Sequence, residues 1–214
     1  MYYFKNLSMD FIRKLYEKRL EKQILSEKIP QHIMVVADEI EFIENISKFR
    51  SFINWCRKFG VKEITICIHV FHPVSFEMLE KIAQRLKKGE NYKLRLFTGG
   101  KFDSDSLEGF TVNLIAGYGG RTEITDAVKK IAERVEKNEL NPESITEEDI
   151  ERFLSIKESP DLIMRAGEEI PDFLIWQSIY SELYFLDVDW KSFRYVDFMR
   201  CLRDYQRRER RYGK

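Results

Sequence analysis

The stretch HIMVVADEIEFIE, residues 32 to 44, places an acid at the end of an apolar run. His32 to Ala37 reads as a buried strand, with Asp38 at its carboxyl end. Open α/β sheets bind ligands beyond the carboxyl ends of their strands. α/β enzymes place catalytic carboxylates there. A phosphate needs backbone N–H donors and fixed cations around it. Here Glu39, Ile40, Glu41, Phe42, Ile43 and Glu44 follow, which present bulk and like charge. The strand and its acid are intact, and the loop that would wrap a phosphate is missing.

A second stretch, AGYGGRTEITDAV, sets Gly117, Gly119 and Gly120 between a strand pattern and a helix pattern. Glycine permits a tight turn, and a helix N-terminus favours anions. Arg121 either adds a positive charge to an anion site or pairs with an acid beside a plain strand-to-helix turn. A third stretch, PDLIMRAGEEIPDFLIWQSIYSELYF, ends an apolar strand at Arg165. Phe173, Trp176, Tyr180, Tyr184 and Phe185 follow, a spacing that fits core or subunit interface better than a ligand cage. Glu182 is the acid among these aromatics and needs a partner. His69 and His72 have no cysteine or acid at ligand spacing and read as surface residues; His32 reads as structural. The closing Arg211-Tyr212-Gly213 reads by itself as a basic helix end with a glycine cap.

The elements that must position these residues alternate. Strand patterns cover Ile64 to Val70, Lys93 to Thr98, Phe110 to Tyr118 and Asp161 to Arg165, besides the first. Helical patterns cover residues 9 to 25, Ser47 to Phe59, Phe76 to Leu86 and Ile124 to Val135. Thr146 with Asp149 three residues on marks another helix start, and a last helix runs from Tyr195 to Gly213. Alternation of this kind predicts an α/β fold: one domain over residues 1–214, with a mostly parallel sheet of about six strands flanked by helices.

Composition narrows the function. The 214 residues suffice for one sizeable core, and 36 basic side chains balance 36 acidic ones. No nucleic-acid partner is expected from that balance. Cys56, Cys67 and Cys201 are scattered, which fits packing residues in a reducing compartment. With no long apolar run and no signal-peptide pattern, a cytoplasmic protein is expected, peripheral at a membrane at most.

The motifs, taken in order, resemble the cis-prenyltransferases, the undecaprenyl and polyprenyl diphosphate synthases. YEKRLEKQILSEKIPQHIMVVAD is similar to that family's first helix and strand, and YGGRTEITDAV to its Tyr-Gly-Gly-Arg-x-Glu-Ile helix start. PDLIMR, FLIWQSIYSELYF and YQRRERRYG resemble its C-terminal third. The resemblance implies condensation of isopentenyl diphosphate onto an allylic diphosphate, with Mg²⁺. Three phosphate-handling segments depart from the pattern. At the first strand only Asp38 remains of Asp-Gly-Asn-(Gly/Arg)-Arg-Trp. HVFHP stands where the family has Ser-x-Glu-Asn-x-x-Arg, and RAGEEIPDF keeps Arg165 but lacks the downstream Arg and Ser.

Retention of the aromatic stretch and the Arg-x-Gly ending implies an accessory, noncatalytic subunit, similar to the Nogo-B receptor type, paired with a catalytic paralogue. Arg211 and Gly213 would complete the partner's site, and the partner would hold most of the Mg²⁺. Trp176, Tyr180, Glu182, Tyr184 and Phe185 would form the dimer face. Asp38 and Glu182 are weak metal candidates; Arg165 and Arg121 are weak diphosphate candidates, Arg121 serving mainly the fold. Two alternatives stand beside this: a divergent catalytic homodimer using Asp38, Arg165 and Glu182, and a relic that binds a polyprenyl lipid or scaffolds a partner.

Overall fold

The computed structural model describes residues 2–71, 75–98, 101–105, 108–154, 157, 159–167, 172–173 and 175–208; for 2–10 and 101–102 it describes the backbone alone. In chain order the elements are α1 (Tyr2–Leu25), β1 (His32–Asp38), α2 (Glu39–Glu44), α3 (Ile46–Lys58), β2 (Glu63–His69) and α4 (Phe76–Lys87). Next come β3 (Lys93–Thr98), β4 (Lys101–Ser104), β5 (Thr111–Ala116), α5 (Gly120–Glu136) and α6 (Glu147–Phe153). The chain continues through β6 (Leu162–Ala166), β7 (Glu182–Leu186) and α7 (Tyr195–Arg207). They build one α/β unit around a seven-stranded sheet of order β4-β3-β5-β2-β1-β6-β7.

All neighbouring strands run parallel except β3 and β4. β1, β2 and β5 are buried almost throughout because both sheet faces are covered there, which is why their sequences read as continuous apolar runs. The sheet has one strand more than the six expected. β4 is four residues of mixed polarity and carries no period-two signal. β7 lies inside the aromatic stretch, where the expectation was an interface surface.

Side-chain alternation divides the core. On one face Ile33, Val35 and Ala37 of β1 meet Ile64, Ile66 and Ile68 of β2, under α1, α3, α4 and α7. Helical spacing explains the cover: α3 buries Phe49, Phe52, Ile53 and Cys56, and α7 buries Phe198, Met199, Leu202 and Tyr205. Trp190 anchors this side, with ring centroids 4.6 Å from Phe49 and 5.1 Å from Phe193. Burial of each such ring contributes about 1.5–3 kcal/mol. The opposite face holds a smaller cluster of Met34, Val36, Cys67, Ile115, Ile163, Tyr118 and Phe173. Fewer elements cover it, and it becomes exposed towards β7.

All three cysteines are buried free thiols, as packing residues should be, and burial pushes the Cys201 thiol up to about 12. The capping box at Thr146 forms: Thr146 N–H donates to Asp149 Oδ2 at 3.0 Å. Three helix bounds differ from expectation. α1 begins at Tyr2 instead of residue 9, α5 begins at Gly120 instead of Ile124, and the described part of the last helix ends at Arg207. Arg211 and Gly213 lie outside the described residues, as does His72.

Candidate active site

Parallel strands bring their carboxyl ends to one edge, so β1, β2 and β6 deliver Asp38, His69 and Arg165 to the same region. The register pairs Asp38 with His69, and Val36 with Arg165. Asp38 and Val36 are two residues apart on β1, so all three side chains belong to the less covered face. His69 Nδ1 lies 3.6 Å from Asp38 Oδ1, with about half of each side chain exposed. Arg165 is half-buried. Sequence reasoning set His69 aside as a surface residue. The signal that finds it is register: it ends β2 level with the acid that ends β1.

The segment after Asp38 is not a loop. Glu39–Glu44 forms α2, and Asp38 occupies its N-cap without a side-chain capping bond, so its carboxylate is not consumed there. Phe42 drives the turn: it is fully buried, with its ring centroid 4.7 Å from that of Phe49. Glu41 accepts from the Trp190 backbone N–H at 2.9 Å. Burial raises the Glu41 pKa; the Trp190 bond opposes the shift, and the charges of Asp38 and Asp189 add to it. The strand end is therefore acidic, with His69 and Arg165 as the nearby basic groups identified. Between α2, α4 and the sheet, Phe42, Ile43, Ile68, Leu79 and Ile82 line an apolar cavity of about 10 Å³. That volume admits one water at most.

The glycine-rich turn resolves differently from an open anion site. Gly117 takes φ +63°, which an L side chain adopts rarely. A Cβ on Gly120 would come within 2.8 Å of Ile175 Cγ1. Asp172 and Ile175 pack directly on the α5 N-terminus. Gly120 N–H donates to the Asp172 carbonyl at 2.8 Å, and Arg121 Nε lies 3.9 Å from Asp172 Oδ1. The chain's own carboxylate thus sits where an external anion would bind. Arg121 is paired with an acid, as one of its two readings held. Buried Glu123 accepts from Gln177 Nε2 at 3.2 Å, which ties α5 to the turn over residues 175–180.

The aromatic stretch divides. Tyr180 and Phe185 are exposed, beside exposed Ile175 and Ile179. Trp176 is partly buried, its Nε1–H 3.4 Å from Glu151 Oε1. Tyr184 packs against the main core, with the Arg208 guanidinium 5.9 Å above its ring. Glu182 is paired within the chain, to Arg208 Nη1 at 3.3 Å.

Among the described residues no group of three His, Cys, Asp or Glu side chains converges as a metal site. Asp38 offers one carboxylate, which suits Mg²⁺ only if phosphate and water complete its shell.

The family model for undecaprenyl diphosphate synthases matches residues 97–213, more than half of the chain. A tritrans,polycis-undecaprenyl-diphosphate synthase (geranylgeranyl-diphosphate specific) of Methanocaldococcus jannaschii is 34% identical, covering 99% of this chain and 92% of its own. The chain belongs to the cis-prenyltransferase family. An isoprenyl transferase of Thermus thermophilus is 33% identical, over 94% of this chain and 95% of its own. The fold also matches that of lavandulyl diphosphate synthase from Lavandula x intermedia, solved with dimethylallyl diphosphate. The TM-score is 0.71 at 22% identity, over 87% of this chain and 99% of that one.

Proposed function

We propose that this cis-prenyltransferase is a divergent catalytic homodimer that condenses isopentenyl diphosphate with an allylic diphosphate. The observation that carries the reading is the placement of Asp38, uncapped and half-exposed, level with His69 and beside Arg165. The Methanocaldococcus jannaschii relative is a synthase and the Thermus thermophilus relative a transferase, which supports a catalytic chain over an accessory one.

In the reaction the C–O bond of the allylic diphosphate breaks and diphosphate leaves. A C–C bond forms to the alkene of isopentenyl diphosphate, and a proton is lost from that unit. Asp38 would hold Mg²⁺, which would supply charge neutralisation at the departing diphosphate. Arg165 would supply positive charge, and His69 a hydrogen-bonding ring nitrogen, where the family's loop arginines are missing.

Two observations favour a second reading, the accessory subunit. α2 presents Glu39, Glu41 and Glu44 at the strand end, and the cavity behind it holds about 10 Å³. On that reading a paralogue supplies the diphosphate loop, the Mg²⁺ and the hydrocarbon channel, and Arg211 and Gly213 reach into its site. Arg211→Ala would then abolish activity of the mixed complex without dissociating it.

Equilibrium dialysis with radiolabelled isopentenyl and geranylgeranyl diphosphates and Mg²⁺ separates the readings. The catalytic reading expects binding by the chain alone, weakened about tenfold or more by Arg165→Ala. No binding by the wild-type chain would overturn it and leave the accessory reading.

A further inference from the structure

α1 covers its own protein with only one of its sides. Leu20 and Ile24 face the core and are fully buried. At 100° per residue, Phe11 and Leu15 fall on the opposite side with Ile12 at its edge, while Tyr16, one turn before Leu20, lies on the flank of the covered side. Phe11, Ile12 and Leu15 are between 52% and 64% exposed, an apolar patch unusual on a surface helix.

The charges on α1 are sorted as well. Lys18, Arg19 and Lys22 share the outward side with the apolar patch and are exposed. Glu17 and Glu21, the acids of α1 whose side chains are described, lie away from that side and are engaged. Glu17 lies 3.8 Å from Arg13, while Glu21 accepts from Lys58 at 2.8 Å and from Tyr195 Oη at 3.1 Å. The outward face therefore combines large apolar side chains with a row of cations, in a chain whose formal net charge is zero.

We propose that this face of α1 docks the protein on an anionic phospholipid surface. Phe11, Ile12 and Leu15 enter the interface, and Lys18, Arg19 and Lys22 meet the headgroup phosphates. Charge decides the occupant: a second copy of this neutral chain would bring the same cations against themselves, whereas an anionic bilayer satisfies both halves of the face. The helix lies in the plane of the bilayer, since no described helix is long and apolar enough to cross it. The inference does not depend on the reaction proposed above.

Flotation with phosphatidylglycerol–phosphatidylcholine vesicles, against pure phosphatidylcholine vesicles, tests it on the full chain. The wild type floats with the anionic vesicles only, and binding weakens with added salt. Phe11→Glu/Leu15→Glu and Lys18→Glu/Lys22→Glu each lower binding by about tenfold or more. All four side chains are exposed, so thermal melting should stay at the wild-type value, which separates lost docking from lost folding. Equal flotation of wild type and both variants, or none by the wild type, overturns the proposal. A wild-type dimer that Phe11→Glu/Leu15→Glu splits, without any flotation, would assign the face to copy–copy contact and overturn it too.

Discussion

At the scale of single residues, the strand end separates a carboxylate that is free to act from one that is structurally engaged. Asp38 caps nothing with its side chain and is half-exposed, so Asp38→Ala should leave thermal stability within about 0.5 kcal/mol of wild type. Glu41 accepts from Trp190, and its pKa is raised above 4.5 chiefly by burial. A raised carboxyl pKa stabilises the fold most below pH 4.5, and that contribution is lost as pH rises through the folded value. Glu41→Gln cannot titrate. Denaturant melts of the pair from pH about 4 to about 7 should therefore show the variant gaining on the wild type as pH rises. A pH-independent difference would contradict this assignment. Gly120 faces a purely steric limit. A Cβ at 2.8 Å from Ile175 must displace that residue, backbone included, so Gly120→Ala should cost about 1–3 kcal/mol in a melting experiment.

At the scale of elements, the strands with continuous apolar runs were legible in the sequence because burial on both faces leaves no other composition. β1, β2, β3, β5 and β6 appear within a residue or two of their expected bounds. β4 and β7 were not, because edge strands are short and half-solvated and lose that pattern. α2 was the larger miss. EIEFIE carries too few residues to show a helical period, and only the burial of Phe42 against Phe49, a tertiary event, fixes it. At the site, Asp38 was legible as a strand-end acid. His69 was not, since its proximity follows from register and not from spacing. Asp172 escaped for the same reason: it meets Arg121 only once β6 and β5 are brought into one sheet. The β7 edge is held by Arg208, which donates to the Leu183 carbonyl at 2.6 Å and pairs with Glu182. Arg208→Ala should cost about 1 kcal/mol and speed amide exchange across Glu182–Leu186 more than in β1. Uniform exchange in both strands would show that the edge does not depend on this contact.

At the scale of the whole molecule, the uneven cover of the two sheet faces connects fold to assembly. The face with α3, α4 and α7 is closed, while Ile175, Ile179, Tyr180 and Phe185 are exposed, Phe185 level with Arg165 on the neighbouring strand. A homodimer across that patch would shield it. Ile179→Glu, at a side chain 72% exposed, should shift sedimentation from dimer to monomer with little change in melting temperature. An unchanged dimer would move the interface elsewhere. The site and the assembly meet in one experiment: incorporation of labelled isopentenyl diphosphate into an allylic primer, with Mg²⁺, by the purified chain alone and by its Asp38→Ala variant. The catalytic reading predicts polyprenyl product from the wild type and a loss of about a hundredfold in the variant. No product from the chain alone, with product restored by adding a cis-prenyltransferase paralogue that retains the diphosphate loop, would contradict it and establish an accessory subunit.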